Sequence, residues 1–151
     1  MLIQRVFFNN YLLMIAVLSW AAAQVAKTAI DLFTNRKLRV ERLVGSGGMP
    51  SSHSALVSAL FMGAARKFGM SSPYFAITFV LAAIVMYDAM GVRLETGKQA
   101  RLLNRMLDDL KEDGQPYDDE KRLKELVGHT PIQVISGALL GLLLTILLPV
   151  F

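Results

Sequence analysis

Charged residues are absent from three long stretches of the chain, 6–26, 68–87 and 134–151, each 18 to 21 residues of mostly apolar side chains. As a helix rising about 1.5 Å per residue, each is long enough to cross roughly 30 Å of hydrocarbon. A fourth stretch, 51–68, is apolar from Ala55 to Ala65 and ends in Arg66 and Lys67, whose aliphatic stems let the charges reach back to an interface. The pattern predicts four membrane helices. The first lacks the short apolar core and small-residue cleavage site of a secretory signal and is expected to be retained. Helix starts are marked locally: Ser72-Pro73 is a cap followed by a first-turn proline, and Thr130-Pro131-Ile132-Gln133 is a capping box with proline at its first helical position.

The insertion 93–128 between the third and fourth spans has a different pattern. Leu102, Leu103, Met106, Leu107 and Leu110 recur at helical spacing with charges on the other face, which predicts an amphipathic helix over 97–112. Asp113-Gly114-Gln115-Pro116 should break it, and a second short helix is expected over 118–127, with Leu123 and Leu126 as its apolar contacts. These helices would lie on the membrane surface or pack on a partner subunit. Small residues on the spans, Gly137 with Gly141 and Ser54, Ala55, Ser58 and Ala59, predict tight helix contacts within a chain or across a dimer, and a homodimer is expected.

Composition agrees with this pattern. Of 151 residues, 54% are hydrophobic and 19% charged, and the mean hydropathy is +0.44, outside ordinary soluble usage. The expected architecture is a single all-α domain, 1–151, built as an integral membrane bundle of about four helices. There are no cysteines, which excludes disulfides and thiol chemistry, and two histidines with scattered acids form no zinc-ligand pattern. No metal or cofactor is expected. The net charge of +4 comes without an aromatic-basic groove, so anionic lipid rather than nucleic acid is the partner it points to. Thirteen of the sixteen Lys and Arg residues fall in 27–42 and 93–128, three elsewhere. The positive-inside rule then places both basic loops in the cytoplasm and both termini outside, and the expected location is the plasma membrane of a bacterium.

Four spans bring the end of the first, the start of the second, the end of the third and the start of the fourth to one face, where the unusual polar residues collect. Lys27 and Asp31 lie on one stripe of the first span, with Arg36 beyond. Gly48, Ser51, Ser52 and His53 open the second, Asp88 and Arg93 close the third ahead of Lys98, and His129 opens the fourth. Helix N-termini with close-packed glycine offer backbone N–H groups and a positive dipole end to phosphate, and a histidine can protonate a leaving oxygen. Two histidines, several cations and a carboxylate on one face suit phosphoryl transfer. Lys27 and Asp31 could equally form a plain i, i+4 salt bridge, and Arg36 could be a topology determinant alone.

Gly47-Gly48-Met49-Pro50-Ser51-Ser52-His53-Ser54-Ala55, Met86-Tyr87-Asp88-Ala89 with Gly91-Val92-Arg93, Gly97-Lys98-Gln99-Ala100 and Leu123-Lys124-Glu125-Leu126-Val127-Gly128-His129-Thr130-Pro131 closely resemble the divergent type-2 phosphatidic acid phosphatase family, also described as acid phosphatase/vanadium-dependent haloperoxidase-related. The similarity runs over essentially the whole chain. It implies a membrane phosphatase acting on a lipid phosphate or isoprenoid pyrophosphate through a phosphohistidine. In that scheme His129 is the nucleophile and His53 the acid, while Gly48, Ser51, Ser52, Lys27 and Arg36 hold the phosphate. The chain departs from the wider superfamily at three places. The interval from Lys27 to Arg36 is longer, Leu123 stands at the last motif's arginine, and Gln133 stands at the aspartate that orients the nucleophile. Asp88 is expected to supply the missing carboxylate, and Arg93 or Lys98 the missing cation. The competing expectation is that Gln133 serves its capping box alone and the chain is a catalytically weak protein that binds anionic lipid or phosphate as a structural or transport subunit.

Overall fold

A computed structural model describes residues 9–36, 48–112, 122–125 and 127–150. Among them the fold is all-α, with five helices: α1 Tyr11–Asn35, α2 Ser52–Phe68, α3 Pro73–Met90, α4 Val92–Glu112 and α5 Pro131–Leu147. Lys37, Arg39, Arg42 and the expected breaker at 113–116 lie outside the described residues.

The caps behave as their sequences dictate. The Asn10 side chain accepts from Leu13 N–H at 3.1 Å to start α1, Ser51 and Ser72 cap α2 and α3, and Thr130 with Gln133 forms the capping box of α5. Helix α1 carries Lys27 and Asp31 as expected and runs to Asn35, because nothing in that stretch breaks backbone hydrogen bonding until Arg36 turns left-handed (φ 50) and donates its N–H to Leu32. One boundary differs from expectation. Helix α4 starts at Val92, five residues early, since Gly91 alone separates it from α3.

Helix α2 is the hub, packed against α1, α3 and α5. Its small residues Ser54, Ala55, Ser58, Ala59, Gly63 and Ala64 are all buried, so neighbouring backbones approach closely. By length and composition two helical stretches suffice to cross a membrane, Tyr11–Thr34 and the run Pro73–Lys111, while Pro131–Leu147 is a shorter apolar helix. Helix α2 need not match them in apolarity, because its neighbours are protein. The outer positions of α3 and α5, such as Ile77, Ile84, Leu139 and Leu147, are exposed and apolar, as lipid contact requires.

The expected helix over 118–127 does not form where the chain is described. Residues 122–125 and 127 are non-helical, because the backbone of Leu123 finds its partners elsewhere. Leu123 N–H donates to Asn104 Oδ1 at 3.0 Å, and Asn104 Nδ2 donates to Leu123 C=O at 2.9 Å. A buried amide on α4 thus replaces the intrahelical bonds and holds 122–125 as a strap along α4.

Candidate active site

Three contacts a helical turn apart set the register of α5 on α2. A Cβ at Gly137 would overlap the Ser51 carbonyl, a Cβ at Gly141 would overlap the Ala55 carbonyl, and Thr145 Oγ1 lies 3.4 Å from Ala59 C=O. Both series rise together along the chain, so α2 and α5 are parallel and start at the same end. Ser51 N–H donates to Gln133 C=O at 2.9 Å and locks the two starts together. The GxxxG face of α5 is therefore filled within the chain. Helices α1 and α3 run the other way and bring their late residues to the same end.

His53, from α2, and His129, just before α5, line one cavity of about 150 Å3 with Arg93, Val85, Ala89, Val127 and Gly128. Lys27 is 3% exposed, and it and Arg93 are close enough to both histidines to act on them electrostatically. His129 is fixed at three points. Its N–H donates to Ala89 C=O at 3.0 Å, in the last turn of α3. Gly128 before it, at φ 86, packs directly on the backbone of Arg93 and Leu94, where any Cβ would collide. Its ring Nδ1 lies 3.2 Å from Gln133 Oε1.

That last contact sets the tautomer. Gln133 Oε1 also accepts the Thr130 N–H at 3.1 Å, so the atom between two nitrogens is the amide oxygen, which only accepts. Nδ1 therefore carries the proton and Nε2 keeps its lone pair. Burial holds the His129 imidazole below the ordinary histidine pKa, the Gln133 contact opposes this, and the charges of Lys27, His53 and Arg93 add to the depression. The lowering favours the neutral ring.

The remaining expected residues divide. Asp88 does not reach the His129 ring nitrogen that Gln133 occupies; its carboxylate accepts from Arg93 Nε at 2.5 Å and so orients the cation that does face the histidines. Ser51 is fully buried and its polar atoms are engaged: Oγ accepts from Ser54 Oγ at 2.9 Å and its carbonyl accepts from Ala55 N–H. It joins α2 to α5, and Ser52 is buried beside it. Arg36 is exposed at the end of α1, two turns beyond Lys27. Gly48 and Lys98 line a second cavity of about 270 Å3, together with Arg101, Glu125, Thr130 and Gln133. Lys98 pairs with Glu95 at 2.7 Å.

Asn104 and Glu125 are the residues that sequence reasoning placed least well. Asn104, 3% exposed, donates to Glu125 Oε1 at 2.8 Å as well as holding Leu123, and Arg101 Nε reaches Glu125 Oε2 at 3.3 Å. Arg122 pairs with Asp108 further along the strap. Gly97 allows the strap's carbonyls at Glu125 and Val127 to lie against α4. Gly97, Ala100 and Asn104 share one face of α4, and a lone amide on that small-residue face was the available signal.

Residues 8–144 match the description "Divergent PAP2 family". A relative in Bacillus subtilis (strain 168), described as the uncharacterized membrane protein YuiD, is 40% identical over 152 residues, covering 95% of this chain and 96% of that protein. No solved structure matches the chain. With the match running over nearly all of its length, the chain belongs to the divergent PAP2 family of membrane proteins.

Proposed function

We propose that the protein is a membrane phosphatase that hydrolyses a lipid phosphate or isoprenoid pyrophosphate at the cytoplasmic surface of the plasma membrane. The observation that carries this reading is the shared cavity of His53, His129 and Arg93, with a neutral His129 whose Nε2 is left free by Gln133. Nε2 attacks phosphorus, an N–P bond forms, and the P–O bond to the leaving group breaks. His53 gives its proton to the departing oxygen. Water then attacks the phosphohistidine and returns a proton to His53, and inorganic phosphate leaves as the N–P bond breaks. Lys27 and Arg93 offset the charge that builds on the phosphoryl oxygens.

Phosphate release by the purified protein, in EDTA, from a panel of lipid phosphates and isoprenoid pyrophosphates tests the reading. Wild type should turn over and be inhibited by vanadate. His129→Ala should lose at least about 10³-fold and His53→Ala about 10²–10⁴-fold. Specific binding of anionic lipid by wild type and both variants alike, with no turnover, would instead make the chain a binding subunit.

A further inference from the structure

His129 stands between two elements: it leads into α5, and it ends the strap that runs back along α4. The strap also closes the histidine cavity, because Val127 and Gly128 are part of its lining. What fastens the strap therefore fixes one wall of that cavity and the chain leading into His129.

Ahead of Gly128, side chains of two kinds attach the strap to α4. Arg101 with Glu125 and Arg122 with Asp108 are ion pairs between exposed or half-exposed groups, and such pairs each add little in water. Asn104 differs because it is buried and makes three bonds. Its Oδ1 accepts from Leu123 N–H at 3.0 Å, and its Nδ2 donates to Leu123 C=O at 2.9 Å and to Glu125 Oε1 at 2.8 Å. An apolar residue in its place would strip the Leu123 N–H and C=O of their partner, whereas breaking an exposed ion pair only returns two charges to water.

The anchorage is carried forward to the histidine by backbone packing. Gly97 lets the Glu125 and Val127 carbonyls lie against α4, and Gly128 packs on the backbone of Arg93 and Leu94. Asn104, Gly97 and Arg93 are seven and four residues apart and so share one face of α4, along which the strap is laid. At its end His129 N–H donates to Ala89 C=O at 3.0 Å. Among the described helices α4 packs on α3 alone, so the strap is what ties α4 to the start of α5.

We infer that Asn104 is a positioning residue for His129: it fastens the strap to α4, so that Val127 and Gly128 close the cavity and the His129 backbone stays bonded to Ala89. Asn104 does not line the histidine cavity and acts through the strap. The reaction it serves rests on the phosphatase reading, while the placement of His129 does not.

Asn104→Leu, close to isosteric, tests this in the purified protein in detergent. Amide exchange at His129 N–H should accelerate at least about 10-fold, as when a segment held by several hydrogen bonds opens locally. The His129 imidazole is held below the ordinary histidine pKa by burial first, against the Gln133 contact, and then by Lys27, His53 and Arg93. It should titrate nearer the ordinary value once the strap loosens. Phosphate release should fall at least about 10-fold, as a displaced nucleophile requires. Asn104→Asp keeps the acceptor for Leu123 N–H and loses both donations, and should give the same changes in smaller measure. It decides the matter if Asn104→Leu does not fold. Arg66→Met, at the other end of the bundle, controls for general loosening, and Arg101→Gln for the exposed ion pair. Neither should move the exchange or the titration of His129. Wild-type behaviour of His129 in both Asn104 variants, or equal changes in Arg66→Met or Arg101→Gln, would overturn the assignment. Absence of turnover by wild type would count against the phosphatase reading alone, since exchange and titration are read without substrate.

Discussion

The two ends of the bundle are joined by opposite means. At the end remote from the histidines the joints are large side chains. Arg66 donates to the Thr145 and Leu148 carbonyls that end α5, with Tyr11 Oη at 3.4 Å, and Lys67 lies 5.8 Å from the Tyr11 ring centre. Phe61, Phe75 and Phe79 pack edge-on and stacked at 5.7–6.3 Å between α2 and α3. At the histidine end the joints are backbone to backbone: Ser51 to Gln133, His129 to Ala89, Gly137 on Ser51 and Gly128 on Leu94. One end uses a cation to hold a helix terminus. The other joins its helices through backbone contacts, and Lys27 and Arg93 act electrostatically on the histidines there.

The sharpest break in that comparison is Gly137→Ala. The added methyl meets the Ser51 carbonyl and backbone, which cannot swing aside as a side-chain tip can. It should cost about 3 kcal/mol or more, at or above the upper end of ordinary overpacking, and should separate the two helix starts. Denaturant titration in detergent would measure it, and wild-type stability would mean that α2 and α5 do not meet there. The same methyl at Gly63, near the other end, would meet only side-chain atoms of Ile15, Leu12 and Tyr11, at 3.2–3.4 Å. Next in size is Arg66→Met, which keeps the stem but leaves the Thr145 and Leu148 carbonyls without their donor. The exposure of Arg66 moderates the loss to about 1–2 kcal/mol. The same titration reads it, and phosphate release should persist because the histidine end does not rely on Arg66.

What the sequence made legible is what is decided within one turn of helix. Ser72 and Thr130 announce their caps because a cap is settled between residues three apart, and the common face of the four spans follows from counting them. Contacts between distant residues were legible only in part. Gly137 and Gly141 told of a close backbone without saying whose, and it is that of α2. The 122–125 segment carries Leu123 at a plausible helical position, yet Asn104, far away in sequence, competes for its backbone and wins. Asp88 is the carboxylate that the sequence puts forward at the end of α3 to orient His129. Arg93, five residues on, holds it, and Gln133 reaches the ring while also closing its capping box.

The smallest effect is the most informative about His129. Gln133→Glu keeps the length needed to reach both Thr130 N–H and His129 Nδ1, and replaces a neutral acceptor with an anion. A glutamate at this position of a capping box also suits the helix dipole and should stabilise α5 by about 0.3–1 kcal/mol. In the wild type, burial keeps the folded His129 pKa below that of the unfolded chain. The unfolded chain thus takes up its proton first as the pH drops, and His129 contributes stability above the ordinary histidine value that is lost as the pH falls through the lowered one. A carboxylate beside Nδ1 stabilises imidazolium, so the variant's His129 pKa should rise and this acid loss of stability should shrink. Activity should respond in the opposite sense. Attack needs a neutral Nε2, so the acid limb of the rate profile should move to higher pH in the variant. The chain has two histidines, so an NMR titration of imidazole signals, assigned with His53→Asn, reads the shift directly. An unmoved His129 titration would mean that residue 133 does not touch the ring in solution, and the proton on Nδ1 would need another acceptor.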